Sequence, residues 1–150
     1  MTALTTPELV AIDVTSTDRQ AVIRQLASLL AAAGRVSDLD GFVADVLARE
    51  VTTATGMPGA VGLPHAKSAH VTVPSLAVGR VPGGVDFGGP DGDATLVFLI
   101  AAPAGGAEEH LKILAALARR LMHTSFRDAI RTAPDADAVA AIIAQEVVPA

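Results

Sequence analysis

Thr95-Leu96-Val97-Phe98-Leu99-Ile100 is an almost wholly apolar run with no charge, glycine or proline. Its length is typical of a β-strand, and an uninterrupted apolar run predicts a strand that is covered on both faces. Such a strand needs other elements packed on each side of it. We therefore expect residues 95–100 to form the central strand of an α/β protein.

The chain after this run favours helices. Pro103-Ala104-Gly105-Gly106 ends the strand, and the following acidic residues suit the first turn of a helix. The apolar residues of that helix keep helical spacing and are Leu111, Leu114, Leu117 and Leu121. Two more helices are predicted over residues 124–131 and 135–146.

Before the central run, the apolar residues follow a strand-like rather than a helical spacing. Residues 71–81 are rich in β-branched and aliphatic side chains, and they are interrupted by Pro74 and followed by Pro82-Gly83-Gly84. This pattern predicts short strands joined by turns. The glycine-rich and aspartate-rich residues 88–93 predict a further turn before the central strand.

Two helices are expected in the first third of the chain. Thr17 and Gln20 form a candidate capping box for the first, and Gly34 stands where a left-handed C-terminal cap is expected. Ser37 is a candidate cap for the second, which should end near Arg49 and Glu50. The whole pattern predicts one α/β domain, residues 1–150, with helices on both faces of a mixed β-sheet.

Composition excludes several classes of function. The 150 residues carry a net charge of −5 and only 3% aromatic side chains, which argues against binding to nucleic acid. With no cysteine, disulfides and thiolate chemistry are excluded. The longest apolar stretch, residues 96–102, is far shorter than a membrane span, and the N-terminus lacks the features of a secretory signal. We expect a cytoplasmic protein without direct membrane insertion.

Residues 53–67 contain the first candidate site residue. In this glycine-rich and proline-rich stretch, Pro64 restricts the backbone before His65, and glycines at 56, 59 and 62 allow close approach of a ligand or partner. A histidine on such a loop can be exposed yet rigidly held, as a nucleophile must be. The alternative is a turn that happens to contain a histidine.

The chain has three further histidines, and each can be functional or structural. His110 is the second candidate, because it opens a helix at the end of the central strand, where open α/β sheets place their sites. A structural histidine in the core is the alternative there. His70 is expected on the surface, and His123 is expected to be a cationic or capping residue at a helix end.

Two other functions are disfavoured. Residues 62–68 resemble a phosphate-binding loop in ending with Ala-Lys-Ser, but the spacing is one residue short of the Walker A pattern. A metal site made by His65, His70 and His110 has neither the helical spacing nor the supporting carboxylate that such sites use. We expect neither a metal nor a cofactor.

Several separated motifs resemble the fructose/mannitol class of enzyme IIA domains of the bacterial sugar phosphotransferase system (PTS EIIA type-2). They span nearly the whole chain and are Arg49-Glu50, Thr55-Gly56, Val61-Gly62-Leu63-Pro64-His65, Gly84-Val85-Asp86-Phe87, Asp91-Gly92, Leu96-Val97-Phe98-Leu99-Ile100 with Pro103, and His110-Leu111. The chain departs from many members at the loop tip, where Pro58-Gly59-Ala60 replaces Gly-Asn-Gly.

The resemblance implies a phosphocarrier. His65 would accept a phosphoryl group from the phosphohistidine carrier protein HPr and pass it to a IIB domain, which phosphorylates sugar entering through the membrane component IIC. Arg49 would offset phosphoryl charge, His110 would hydrogen-bond His65 or the phosphate, and Thr55-Gly56 would add backbone contacts. Fructose is the favoured sugar. A regulatory, nitrogen-related IIA paralogue and an inert binding module of the same fold are the alternatives.

Overall fold

The computed structural model describes residues 3–52, 54–105 and 107–147, with only the backbone described for residues 107–110. A 3-10 turn, Pro7–Leu9, precedes the first strand. The helices of the described part are α1 Arg19–Ala32, α2 Leu39–Thr52, α3 Ala107–Leu121, α4 Thr124–Thr132 and α5 Ala136–Glu146. Its strands are β1 Val10–Ala11, β2 Gly56–Met57, β3 Val61–Gly62, β4 His65–Ser68, β5 Ser75–Val85 and β6 Ala94–Pro103.

Strand β6 is the centre of one mixed sheet with the order β1-β5-β6-β3-β2. Strand β5 pairs with it antiparallel on one side. On the other side, β3 and β4 pair with it in parallel, one after the other, so that Val61 lies opposite Leu96 and His65 lies opposite Ile100. The predicted α/β fold with a mixed sheet is confirmed.

Two apolar layers cover the sheet, one on each face. Val97, Leu99 and Ala101 of β6 belong to the core formed with α1 and α2. The alternate residues Leu96, Phe98 and Ile100 belong to the core formed with α3, α4 and α5. The central run is therefore buried on both faces, as its uninterrupted apolar sequence predicts.

Helix α1 begins one residue later than the predicted capping box requires. Asp18 is the cap, and its Oδ2 accepts a hydrogen bond from the Ala21 N–H at 3.1 Å, so the choice of Thr17 was wrong. The carboxylate takes this position because it caps at least as well as a hydroxyl and also suits the positive end of the helix dipole. Gly34 does end the helix in the left-handed region, at φ 77°.

Helix α2 shows the same displacement. Asp38 accepts from the Gly41 N–H at 3.2 Å, whereas the predicted cap Ser37 donates its hydroxyl to the His70 carbonyl at 3.2 Å. The helix continues to Thr52, two residues beyond the predicted end. Both caps are thus the residue after the predicted one.

Strand β5 is one continuous strand rather than the predicted series of short ones. Its ladder with β6 shifts register between Arg80 and Val85. Pro82-Gly83-Gly84 lies inside this irregular section. Because the regular ladder is interrupted there, a proline without an N–H is tolerated. Val71, by contrast, forms only an isolated bridge with Val36.

The described part of the chain contains no helix that is both long and apolar enough to span a bilayer.

The turn between β2 and β3 contains a strained residue. Pro58-Gly59-Ala60 closes this hairpin, and Ala60 has φ 60°, which places a side chain in the left-handed region. Glycine adopts this conformation without the steric cost.

We predict that Ala60→Gly stabilises the protein by up to about 1 kcal/mol, because relief of the left-handed strain exceeds the added entropy of the unfolded chain. Gly34→Ala should have the opposite effect of about 1 kcal/mol, since Gly34 has φ 77° and no atom near the added Cβ. Urea unfolding midpoints measure both. Gly105→Ala, at an unstrained and open position, is the control. An Ala60→Gly variant less stable than the parent chain would contradict the prediction.

Candidate functional site

His65 is the first residue of β4 rather than a loop residue, which corrects the loop prediction. The side chain is buried, with 8% of its surface exposed. Its Nδ1 lies 2.7 Å from the Leu63 carbonyl oxygen. A carbonyl oxygen can only accept, so Nδ1 carries the proton and the lone pair of the neutral ring is on Nε2. The backbone thereby selects one tautomer.

Strand alternation fixes the face on which His65 lies. Ala66 belongs to the core with α1 and α2, and Ser68 donates its hydroxyl to Asp45 of α2 at 2.6 Å. Successive residues of a strand point to opposite faces. His65 and Lys67 therefore face the side of the sheet that carries α3, α4 and α5.

Helix α2 runs antiparallel to β4 and carries Arg49 to about the level of Ala66, the residue after His65. Before the helix begins, Ser37 N–H donates to the His70 carbonyl at 2.8 Å. Asp45 then meets Ser68, the last residue of β4. Arg49 lies one turn beyond Asp45, a rise of about 6 Å. The two residues from Ser68 back to Ala66 cover about the same distance along the strand.

The Arg49 side chain is exposed in the last turn of α2. Within the part of the chain that the structure describes, no hydrogen bond or ion pair occupies its guanidinium. An exposed guanidinium can receive an anion without first giving up a partner. Arg49 thus lies toward the same end of β4 as His65, but on the helix layer that covers the other face of the sheet. A contact between the two side chains stays a prediction.

Thr55 and Gly56 are bound within the protein. Thr55 N–H donates to Glu50 Oε2 at 3.0 Å, and its hydroxyl donates to Glu50 Oε1 at 2.8 Å. Gly56 N–H donates to the Phe87 carbonyl at 2.8 Å. These donors anchor the segment that leads to His65. A direct contact of either residue with a phosphoryl group stays a prediction.

The three glycines of this stretch serve internal packing. A Cβ on Gly56 would overlap the Gly89 backbone, and one on Gly62 would overlap the Phe87 ring. A Cβ on Gly59 would overlap the Arg127 guanidinium. These glycines were expected to allow a ligand or partner to approach. In the structure they allow close packing against other parts of the chain.

The hairpin tip is held by α4, away from His65. Arg131 Nη2 donates to the Gly59 carbonyl at 2.6 Å and to Thr95 Oγ1 at 3.1 Å. Burial, and then the neighbouring Arg127, lower the pKa of Arg131 from its ordinary value. Thr95 lies near the start of β6, while His65 pairs with Ile100, about five residues or ~17 Å along the strand. One end of the glycine-rich stretch is therefore held by α4, and the other end leads into β4 at His65.

The other histidines occupy three different settings. His110 lies on the first turn of α3, and its side chain falls outside the described residues. His70 is half-buried, with Nδ1 at 3.9 Å from Asp38 Oδ2. His123 occupies the N-cap position of α4, but its ring makes no capping hydrogen bond. The residues with described side chains contain no group of three metal-ligating side chains.

Glu50 is a buried acid that pairs with Thr55 and that the sequence analysis did not single out as a candidate. It is buried, with 7% of its surface exposed, on the helix stripe that also contains Phe42, Val43 and Val46. The signal was available, since Glu50 follows Val46 by four residues and a buried acid on an apolar stripe requires partners.

The geometry defines an α/β domain with a buried histidine whose Nδ1 is paired with a backbone carbonyl. Neutral imidazole with its lone pair on Nε2 is a nucleophile near physiological pH. These features suit transfer of a phosphoryl group.

Comparisons with known proteins agree with this class. A family model described as "Phosphoenolpyruvate-dependent sugar phosphotransferase system, EIIA 2" matches residues 3–146. The chain belongs to this EIIA family of the sugar phosphotransferase system. It is 36% identical over 148 residues to the PTS system fructose-specific EIIA component of Haloferax volcanii, covering 98% of this chain and 96% of that protein.

Two further relatives show the range of the family. The chain is 35% identical over 146 residues to the PTS system fructose-specific EIIABC component of Bacillus subtilis, covering 97% of this chain and 23% of that protein. The crystal structure of the nitrogen regulatory protein IIA-Ntr from Neisseria meningitidis superposes with a TM-score of 0.85 at 26% identity, over 93% of this chain and 96% of that one.

We predict that Gly56→Ala destabilises the protein by about 1–3 kcal/mol, because the new Cβ meets backbone atoms of Gly89 that cannot rotate away. Gly92→Ala is the control for a loop glycine with open space, where only the positive φ opposes the change. Denaturant midpoints compare the two variants. A smaller loss for Gly56→Ala than for Gly92→Ala would show that the two backbone segments are not tightly packed.

Proposed function

We propose that this chain is a phosphocarrier in which His65 accepts a phosphoryl group at Nε2 and passes it on. The hydrogen bond between His65 Nδ1 and the Leu63 carbonyl, at 2.7 Å, carries the proposal. It holds the proton on Nδ1 and leaves the nucleophilic lone pair on Nε2. The donor is a phosphohistidine carrier protein of the HPr type, and the acceptor is a IIB domain.

The transfer step is a displacement at phosphorus. The bond from His65 Nε2 to phosphorus forms while the bond from phosphorus to the donor imidazole breaks. The Nδ1 proton remains in its bond to the Leu63 carbonyl. Because one phosphoramidate replaces another, the step is nearly balanced and reversible, and catalysis consists mainly of positioning and charge stabilisation.

Arg49 and His110 complete the proposed site. In this proposal the Arg49 side chain extends from the last turn of α2 past the end of β4 and offsets charge on the phosphoryl oxygens. The position of His110 on the first turn of α3 follows the end of β6. There the residue hydrogen-bonds His65 or the phosphoryl group. Thr55 and Gly56 contribute by fixing the chain before His65.

Transport of fructose is the favoured role. The relative from Haloferax volcanii is named as a fructose-specific EIIA component, and that from Bacillus subtilis joins an EIIA region to IIB and IIC regions in one fructose-specific protein. A IIB domain would therefore receive the phosphate and use it on sugar entering through IIC.

The second candidate is a regulator that binds other proteins according to phosphorylation state. The similarity to the nitrogen regulatory protein of Neisseria meningitidis favours it. Both roles need the same acceptor histidine, so the fate of the phosphate separates them.

We predict that His65→Ala abolishes labelling by phosphorylated HPr, because the variant lacks the imidazole that we propose as the acceptor. His70→Gln is the matched control and should be labelled at the parent rate. Labelled phosphate from phosphoenolpyruvate, with enzyme I and HPr, measures acceptance, and NMR of the product identifies Nε2 as the phosphorylated atom. Full labelling of His65→Ala would refute the acceptor assignment, and phosphate on Nδ1 would refute the tautomer.

We predict that phosphate on the purified protein can be chased to fructose by membranes that contain fructose IIB and IIC. The measurement is formation of labelled sugar phosphate with time. The His65→Ala variant supplies the blank. Acceptance from HPr without onward transfer to a competent IIB would support the regulator, and absence of acceptance would support an inert module.

A further inference from the structure

Glu50 is a buried carboxylate with a specific set of partners. Both of its oxygens accept from one residue, Thr55, through the backbone N–H at 3.0 Å and the hydroxyl at 2.8 Å. Buried carboxylates persist only where hydrogen bonds replace the lost water. Glu50 therefore fixes both the position and the orientation of Thr55.

Thr55 transmits this constraint to His65 through two backbone groups. Its carbonyl accepts from the Leu63 N–H at 3.2 Å. The Leu63 carbonyl then accepts from His65 Nδ1 at 2.7 Å. Hydrogen bonds thus connect the Glu50 carboxylate with the imidazole through Thr55 and Leu63.

Leu63 is also held by the sheet and the core, since Gly62 pairs with Val97 of β6 and the Leu63 side chain is buried. Pro64 restricts Leu63 to extended conformations and has no N–H of its own to donate. The next ladder contact comes from the Pro64 carbonyl, which accepts from the Ile100 N–H at 3.0 Å. Before Pro64, the Leu63 N–H bond to Thr55 fixes the Gly62–Leu63 peptide, which adjoins the Leu63–Pro64 peptide whose carbonyl faces His65 Nδ1.

We propose that Glu50 is a positioning residue that sets the tautomer of His65 through Thr55 and Leu63. The inference rests on the proposed phosphocarrier function. Without the carboxylate, the Thr55 segment shifts, and the hydrogen bond between the Leu63 carbonyl and His65 Nδ1 weakens. The imidazole then also populates the tautomer with its proton on Nε2. That tautomer has no lone pair on the atom that attacks phosphorus, so acceptance slows.

Glu50→Gln is the sharpest variant. Glutamine keeps the size of the side chain but loses the charge and one acceptor. Its NH₂ group can pair with Thr55 only if the hydroxyl turns to accept, and its neutral oxygen holds the Thr55 N–H less strongly than a carboxylate does. Alanine would be less informative, since Glu50 lines a cavity of about 180 Å³ and truncation would enlarge the space for water. Glu146→Gln, at the end of α5, is the matched control for the same chemical change outside the site.

The test uses two readouts on the full chain. Nitrogen NMR of ¹⁵N-histidine-labelled protein, with no partner present, reports which His65 nitrogen carries the proton. We expect one tautomer in the parent chain and in Glu146→Gln, and a mixture in Glu50→Gln. Acceptance from phosphorylated HPr should be at least about tenfold slower in Glu50→Gln, because misplacement of a reacting group is costly.

The outcomes separate this inference from the phosphocarrier function. A folded Glu50→Gln variant with a single parent-like tautomer and a rate within twofold of the parent would overturn the role of Glu50 and leave the carrier function intact. A parent chain that accepts no phosphate would overturn the carrier function, while the NMR comparison would still decide the tautomer. If Glu50→Gln does not fold, Thr55→Val removes the hydroxyl bond alone and must shift the tautomer ratio in the same direction. An unchanged ratio would refute the inference.

Discussion

The burial of β6 on both faces is the constraint on which the rest of the structure depends. A strand covered on both sides needs two helical layers, and the chain supplies α1 and α2 before it and α3 to α5 after it. Because β3 and β4 pair with β6 in parallel, His65 inherits its position from the most buried strand of the protein. The rigidity of His65 therefore comes from the core.

Periodicity and local signals predicted the elements and their types but not every boundary. The apolar run at residues 95–100 and the helical spacing after it needed no tertiary information. The caps of α1 and α2 were each displaced by one residue, because adjacent residues could cap and the choice depended on which side chain reached the helix amides. The continuity of β5 could not be predicted, since a proline is tolerated there only because the ladder shifts register at that point.

For the proposed site, the sequence singled out His65 but did not show what holds it. His65 stood out by its neighbours in the chain. Its partner, the Leu63 carbonyl, is a backbone atom and leaves no trace in residue types. Glu50 belongs to another element, and its link to His65 becomes visible only when Thr55 and Leu63 lie side by side. Hydrogen bonds between segments that are distant in sequence are set by the fold, so residue spacing alone does not reveal them.

The anchoring of the hairpin tip by α4 bears on how paralogues can be distinguished. Pro58-Gly59-Ala60 lies against Arg127 and Arg131, near the start of β6 and away from His65. An exchange at the tip must therefore be accommodated by the arginines of α4. Under the proposed function, a partner that takes the phosphate from His65 touches the surface around β4, so a difference between transporting and regulatory members is better sought there than at the tip.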